Sequence, residues 1–179
     1  MNPAPVPIDP QPSGDERTTL TEFLDYYRSV LLRKIDGVSD DDARRPTVEP
    51  SDLNLLGLLR HLADVERSWF RWVFTGAEAA PLFAGVSHPD GDRDGDLHPG
   101  PSDTVAAALA LWQKEVEHSR SVVAASDLDD PAAVVGTRDG QPFGPVNLRW
   151  ILVHMIEEYA RHCGHADLLR ERVDGATGD

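Results

Sequence analysis

The stretch Leu148-Arg-Trp-Ile-Leu-Val-His154-Met-Ile-Glu157-Glu158-Tyr-Ala-Arg-His162-Cys163-Gly-His165-Ala-Asp-Leu-Leu-Arg-Glu171 decides how the chain is read. Leu148, Ile151, Leu152, Met155, Tyr159, Ala166 and Leu169 recur at three- and four-residue steps, the period of one helix face. With Leu148 at zero on a wheel of 100° per residue, the apolar arc runs from about 300° through 0° to about 60°. His162 falls at about 320°, inside the arc, and Glu158 at about 280°, on its edge. His165 and His154 lie near 260° and 240°, toward the rim, and Glu157 points roughly opposite the core. The i, i+4 spacing stacks Glu158 and His162 on one face, where they can share a metal ion. Asn147 is the expected N-cap, and the helix should run to Arg172 or Val173.

Working outward, three more segments carry helical periodicity. The first spans about Arg17 to Ile35, with Leu20, Phe23, Leu24, Tyr27, Val30, Leu31 and Ile35 on its stripe. Gly37 should stop it, and Ser39 should cap a short turn to Arg45. The second spans about Asn54 to Thr75 with Leu55, Leu58, Leu59, Leu62, Val65, Trp69 and Val73 facing inward, and the third about Asp103 to Ser126. Gly/Pro/Asp-rich connections, Gly76 to Ser102 and Asp127 to Val146, separate the long helices; Ala133 to Thr137 could form a short extended piece. The expected fold is all-α, a four-helix bundle with long crossover loops. Residues 1–14, with five prolines, read as a flexible leader, 15–173 as a single domain and 174–179 as a flexible tail.

The 179 residues suffice for one domain with a real core, and 40% hydrophobic residues are ordinary for a globular chain. No run approaches the roughly 18 apolar residues a bilayer span needs, and the Pro-rich start lacks the regions of a secretory signal. Cytoplasm is the default location. A net charge of −14 argues against nucleic acid and anionic membranes as partners. The single cysteine, Cys163, excludes an intrachain disulfide and a Cys-cluster zinc finger, so any metal ligands must be mainly His and carboxylate. Cys163 itself falls at about 60° on the wheel and should pack in the core. There is no nucleophile elbow and no Gly-rich phosphate loop.

His61 lies at the margin of the second helix's apolar stripe. Together with Glu158 and His162 it offers one carboxylate and two imidazoles, a set that leaves a fourth position open for water or substrate. Zinc suits it first; nickel or iron would also accept it. The competing reading is structural: Glu158 could simply pair with Arg161 or Arg170, and a histidine near an apolar face is more often a hydrogen-bonded core residue than a ligand. Glu66 sits in the middle of the second helix's stripe and needs a buried partner, with Arg149 or a backbone group as the candidates. Trp69, Trp72, Trp112 and Trp150 read as core. Asp90-Gly-Asp92-Arg-Asp94-Gly95-Asp96 imitates the start of a calcium loop, but Pro101 stands where its bidentate Glu should be, so a solvated acidic loop is expected.

The segment Leu58-Leu-Arg-His61-Leu-Ala-Asp-Val-Glu66-Arg-Ser-Trp-Phe70 resembles the second-helix motif of the DinB-like superfamily, and Leu148 to Glu171 resembles its last helix. The likeness covers about Asp15 to Glu171 and is closest to the branch of mycothiol S-transferases. It implies a divalent metal held by His61, Glu158 and His162, and a low-molecular-weight thiol such as mycothiol as cosubstrate. It further implies a homodimer. Two departures stand out: Glu158 replaces the commoner histidine, and His162-Cys163-Gly164-His165 replaces the usual His-Arg-Gly-Gln ending. A thiol bound to a divalent cation is deprotonated at neutral pH, which gives a nucleophile without a protein cysteine. His165, or His154, is then the candidate for proton transfer; the alternatives for His165 are support of a metal ligand from behind, or only a capped surface residue. The rival class is a non-catalytic bundle that binds metal or sequesters a ligand.

Overall fold

The computed structural model describes residues 6–83, 92, 94–135, 137–138, 141–142 and 145–178. Helix α1 (Glu16–Ile35) is capped by Asp15, whose carboxylate accepts the Thr18 amide at 2.7 Å, and Gly37 follows it at a φ of +73°. Ser39 caps the short α2 (Asp40–Arg44). Asn54 caps α3 (Leu55–Glu66), Thr104 caps α4 (Val105–Ala124), and Asn147 caps α5 (Leu148–Asp174), each by accepting an amide hydrogen bond in the first turn. The α4 start lies slightly beyond the Asp103 expected from sequence, because the Thr104 hydroxyl supplies the cap. The all-α class is borne out.

Helix α1 packs along α5 and α3 along α4, with α3 also meeting α5. Leu24, Leu31, Leu55, Leu56, Leu58, Leu59, Leu62, Ile151, Leu152, Met155 and Tyr159 fill the space between them and are fully buried. Two-residue strands β1 (Thr137–Arg138) and β2 (Gln141–Pro142) pair antiparallel in the connection before α5. Just upstream, Ala133 and Val134 donate backbone hydrogen bonds to Phe74 and Val73. No helix among the described residues is long and apolar enough to cross a membrane.

Several expectations are corrected. The second helix is not uniform: from Arg67 to Phe74 it continues as a π-helix. The wider turn moves the buried face onto Phe70, Val73 and Phe74, while Trp69 becomes half-buried and Trp72 exposed. Among the tryptophans only Trp112 is fully in the core, and Trp150 also reaches solvent. Phe23, expected on the α1 stripe, is exposed, whereas Arg28, expected off it, is buried.

Arg28 is buried because it answers Glu66, which is wholly inaccessible. Its Nε and Nη2 donate to the two Glu66 oxygens at 2.8 Å each. Tyr159 donates to the same carboxylate at 2.8 Å and Ser119 at 2.6 Å, and Trp112 donates to the Tyr159 hydroxyl at 2.8 Å. Arg149, the partner expected from sequence, instead pairs with Glu16 and Asp129 at the surface. Every polar atom of this buried group has a partner, so its desolvation cost is offset. The network ties α1, α3, α4 and α5 together and fixes the register of α5 on α3.

A second register device lies at Gly57. A Cβ there would come within 2.2 Å of the Leu97 carbonyl oxygen, a backbone atom that cannot step aside alone. Gly57 stands one turn before His61, so the close approach lets the segment around Leu97 lie on the helix at the level of the candidate site. Gly57→Ala is expected to cost about 1–3 kcal/mol by overpacking, measurable by urea unfolding.

Candidate metal centre

His61 reaches the site from α3, and Glu158 and His162 from one face of α5. One nitrogen or oxygen from each lies within 4.8 Å of the others. The Nε2 atoms of His162 and His61 stand 3.4 Å and 4.0 Å from Glu158 Oε2. Donors 2.0–2.1 Å from one tetrahedral cation lie about 3.3–3.5 Å apart, so His162 and Glu158 already have that spacing and His61 must move inward to close the group. The imidazoles of His61 and His162 meet edge to face, with centroids 4.8 Å apart. His162 Nε2 is buried and makes no hydrogen bond, an orphaned polar atom facing the Glu158 carboxylate. A buried ring nitrogen without a hydrogen bond is costly in a closed protein, and such an atom is useful toward a cation. The donor set therefore fits a divalent metal.

Each imidazole is backed on its far side. Asp96 Oδ2 is 2.7 Å from His61 Nδ1, and His165 Nδ1 is 3.3 Å from His162 Nδ1. A carboxylate on Nδ1 keeps the proton there and leaves Nε2 as the lone-pair donor. Partial burial opposes protonation of His61, but Asp96 and Glu158 outweigh it and raise its pKa to about 9. In the metal-free chain it is an imidazolium held between two carboxylates. His162, His61 and Arg161 hold the Glu158 carboxyl far below the usual carboxylate range, against partial burial. Burial, with His162 and Arg161 nearby, lowers the His165 pKa and keeps that ring neutral.

The wheel order survives in the fold: the side chains of His162, Glu158, His154 and Glu157 become steadily more exposed, from 10% through 13% and 21% to 55%. Glu157 is thereby excluded from the inner group. It forms, with His154 and Glu158, a second and more open cluster, in which His154 Nδ1 lies 3.3 Å from Glu157. The structural alternative is also visible, since Arg161 Nη2 donates to Glu158 at 2.6 Å from the solvent side. Arg170 is turned away toward Asp174 and the carbonyls at the end of α1. Cys163 is buried, as expected, with its Sγ 3.5 Å from the Tyr27 carbonyl.

Asp96 is the residue that sequence reasoning missed. It belongs to the acidic run expected to be solvated, of which Asp90, Gly91 and Arg93 lie outside the described residues. One signal marked it: Leu97, an apolar residue in a polar loop, packs against the core and brings its neighbour to His61. Asp96→Asn is expected to weaken metal binding about 10–100-fold, the usual effect of losing an outer-shell carboxylate. Titration with zinc against a chromogenic chelator measures it, and an unchanged affinity would remove Asp96 from the centre.

A family model described as Mycothiol-S-transferase matches residues 19–175, a span that includes His61, Asp96, Glu158 and His162. Comparison with curated proteins finds no match. With the match extending over most of its length, the chain belongs to the mycothiol S-transferase family, within the DinB-like superfamily.

Proposed function

We propose that the protein is a divalent-metal-dependent S-transferase that joins mycothiol, or a similar small thiol, to electrophilic compounds. The observation that carries this reading is the orphaned, buried Nε2 of His162 beside His61 and Glu158, in a chain of this family. His61, Glu158 and His162 hold the cation, zinc first by donor type, on a four-helix bundle formed by residues 15–173. When bound, the cation supplies Lewis acidity that makes the thiol a thiolate at neutral pH. The chain's own residues do the rest. Asp96 and His165 orient the two imidazoles through their Nδ1 atoms, and Arg161 caps the outer side of the Glu158 carboxylate. Because its Nδ1 faces His162, His165 acts as a positioning residue in this reading, and the thiol proton passes to solvent. The sulfur forms the new bond to carbon as the leaving group departs with its electron pair.

The test is conjugation of mycothiol to monochlorobimane by the purified protein, followed by fluorescence. A rate abolished by a chelator and restored by zinc is expected. A protein that binds metal but shows no chelator-sensitive conjugation would instead support the non-catalytic, ligand-sequestering reading.

A further inference from the structure

Beside the metal centre, the chain leaving the π-helix doubles back over its own helix. Asp64 accepts the amides of Leu82 and Phe83 at 2.6 Å and 3.1 Å, and Arg67 Nε donates to the Ala80 carbonyl at 2.7 Å. Between helix and returning segment lies a groove of about 700 Å³, within the size range of small-molecule sites. Ser68 and Trp72 line it from the helix, and Phe83 from the returning segment. Asp96 lines it as well, and this is the carboxylate that backs His61. Groove and candidate centre are thus separated by one imidazole ring.

Two features define what fits. Trp72 is 48% exposed, an aromatic side chain that the π-helical turn brings out of the core and into the groove lining. Charge gives the second. Asp64, Glu78 and Asp96 are carboxylates, whereas Arg67 is the one cation in the lining among the described residues. The Arg67 guanidinium is already engaged by Glu115 at 3.0 Å and by the Ala80 carbonyl. Asp64 is engaged by two amides and Asp96 by His61, so the charge that an anion entering the groove would meet is that of the exposed Glu78, with the Arg67 guanidinium already committed.

We propose that this groove seats the electrophilic co-substrate and selects planar, apolar electrophiles that carry no negative charge. The proposal rests on the S-transfer reading above. In the reaction of an aryl chloride, for example, the sulfur–carbon bond forms, the carbon–chlorine bond breaks, chloride leaves with the electron pair, and the thiol proton is released.

Equilibrium dialysis of the metal-loaded full chain tests it with two inert ligands, 2,6-dinitroaniline and 4-amino-3,5-dinitrobenzoate, which differ by one carboxylate. The neutral ligand is expected to bind at least about tenfold more tightly. Glu78→Lys, an exposed charge reversal, should shrink that ratio to about threefold or less. Trp72→Ala should weaken dinitroaniline about five- to tenfold while leaving the melting temperature unchanged, since the side chain is half in solvent. Equal or tighter binding of the benzoate, indifference to Trp72→Ala, or displacement of dinitroaniline by the thiol would overturn the proposal. Dialysis requires no turnover, so the two readings fail separately. Charge discrimination without chelator-sensitive conjugation would sink S-transfer, and conjugation without discrimination would sink the groove assignment.

Discussion

Replacing Arg28 with methionine is expected to destabilise the protein by about 3–5 kcal/mol, because it strands the Glu66 carboxylate in the core. For a chain of this size that is a fall in melting temperature of roughly 6–20 °C, read by calorimetry. The pair itself is no large source of stability, since desolvating two charges offsets most of their attraction. The double variant Arg28→Met/Glu66→Leu should therefore recover part of the loss, giving a coupling of at least about 1 kcal/mol. Recovery should be incomplete, as Tyr159 and Ser119 would lose their acceptor. A loss below about 1 kcal/mol for Arg28→Met would mean that the network does not hold the helices in register.

The second large effect concerns the centre. Glu158→Gln and His162→Ala are each expected to lower affinity for zinc by more than about 100-fold, beyond the 10–100-fold typical of an outer-shell partner. Glu157→Gln, one position away but exposed, should change it little. Circular dichroism melts separate loss of metal from loss of fold: Glu158 is partly exposed and is not part of the buried network. Equal effects of Glu157→Gln and Glu158→Gln would move the metal to the outer cluster around His154.

The candidate site was legible in the sequence where it lies on regular helix. A constant 100° step places Glu158 and His162 on one face and Glu157 off it, and N-caps at Asn54 and Asn147 mark where the helices begin. What stayed hidden depends on contacts between segments far apart in the chain. Nothing local to Glu66 names Arg28, 38 residues earlier, as its partner. Asp96 looked like one more solvated acid because its role depends on how the loop crosses α3 at Gly57. The π-helix was invisible for a different reason: its residues keep a passable 3.6-residue pattern through Trp69 and Val73, and only tertiary packing decides which turn they adopt. The groove beside Trp72 follows from that turn.

Anomalous diffraction from crystals grown with zinc tests the central claim most directly. A single strong peak about 2.0–2.2 Å from His61 Nε2, His162 Nε2 and a Glu158 oxygen is the expected result. Zinc-saturated crystals with no peak there, Arg161 still paired to Glu158 and His61 still an ion-paired side chain, would contradict it.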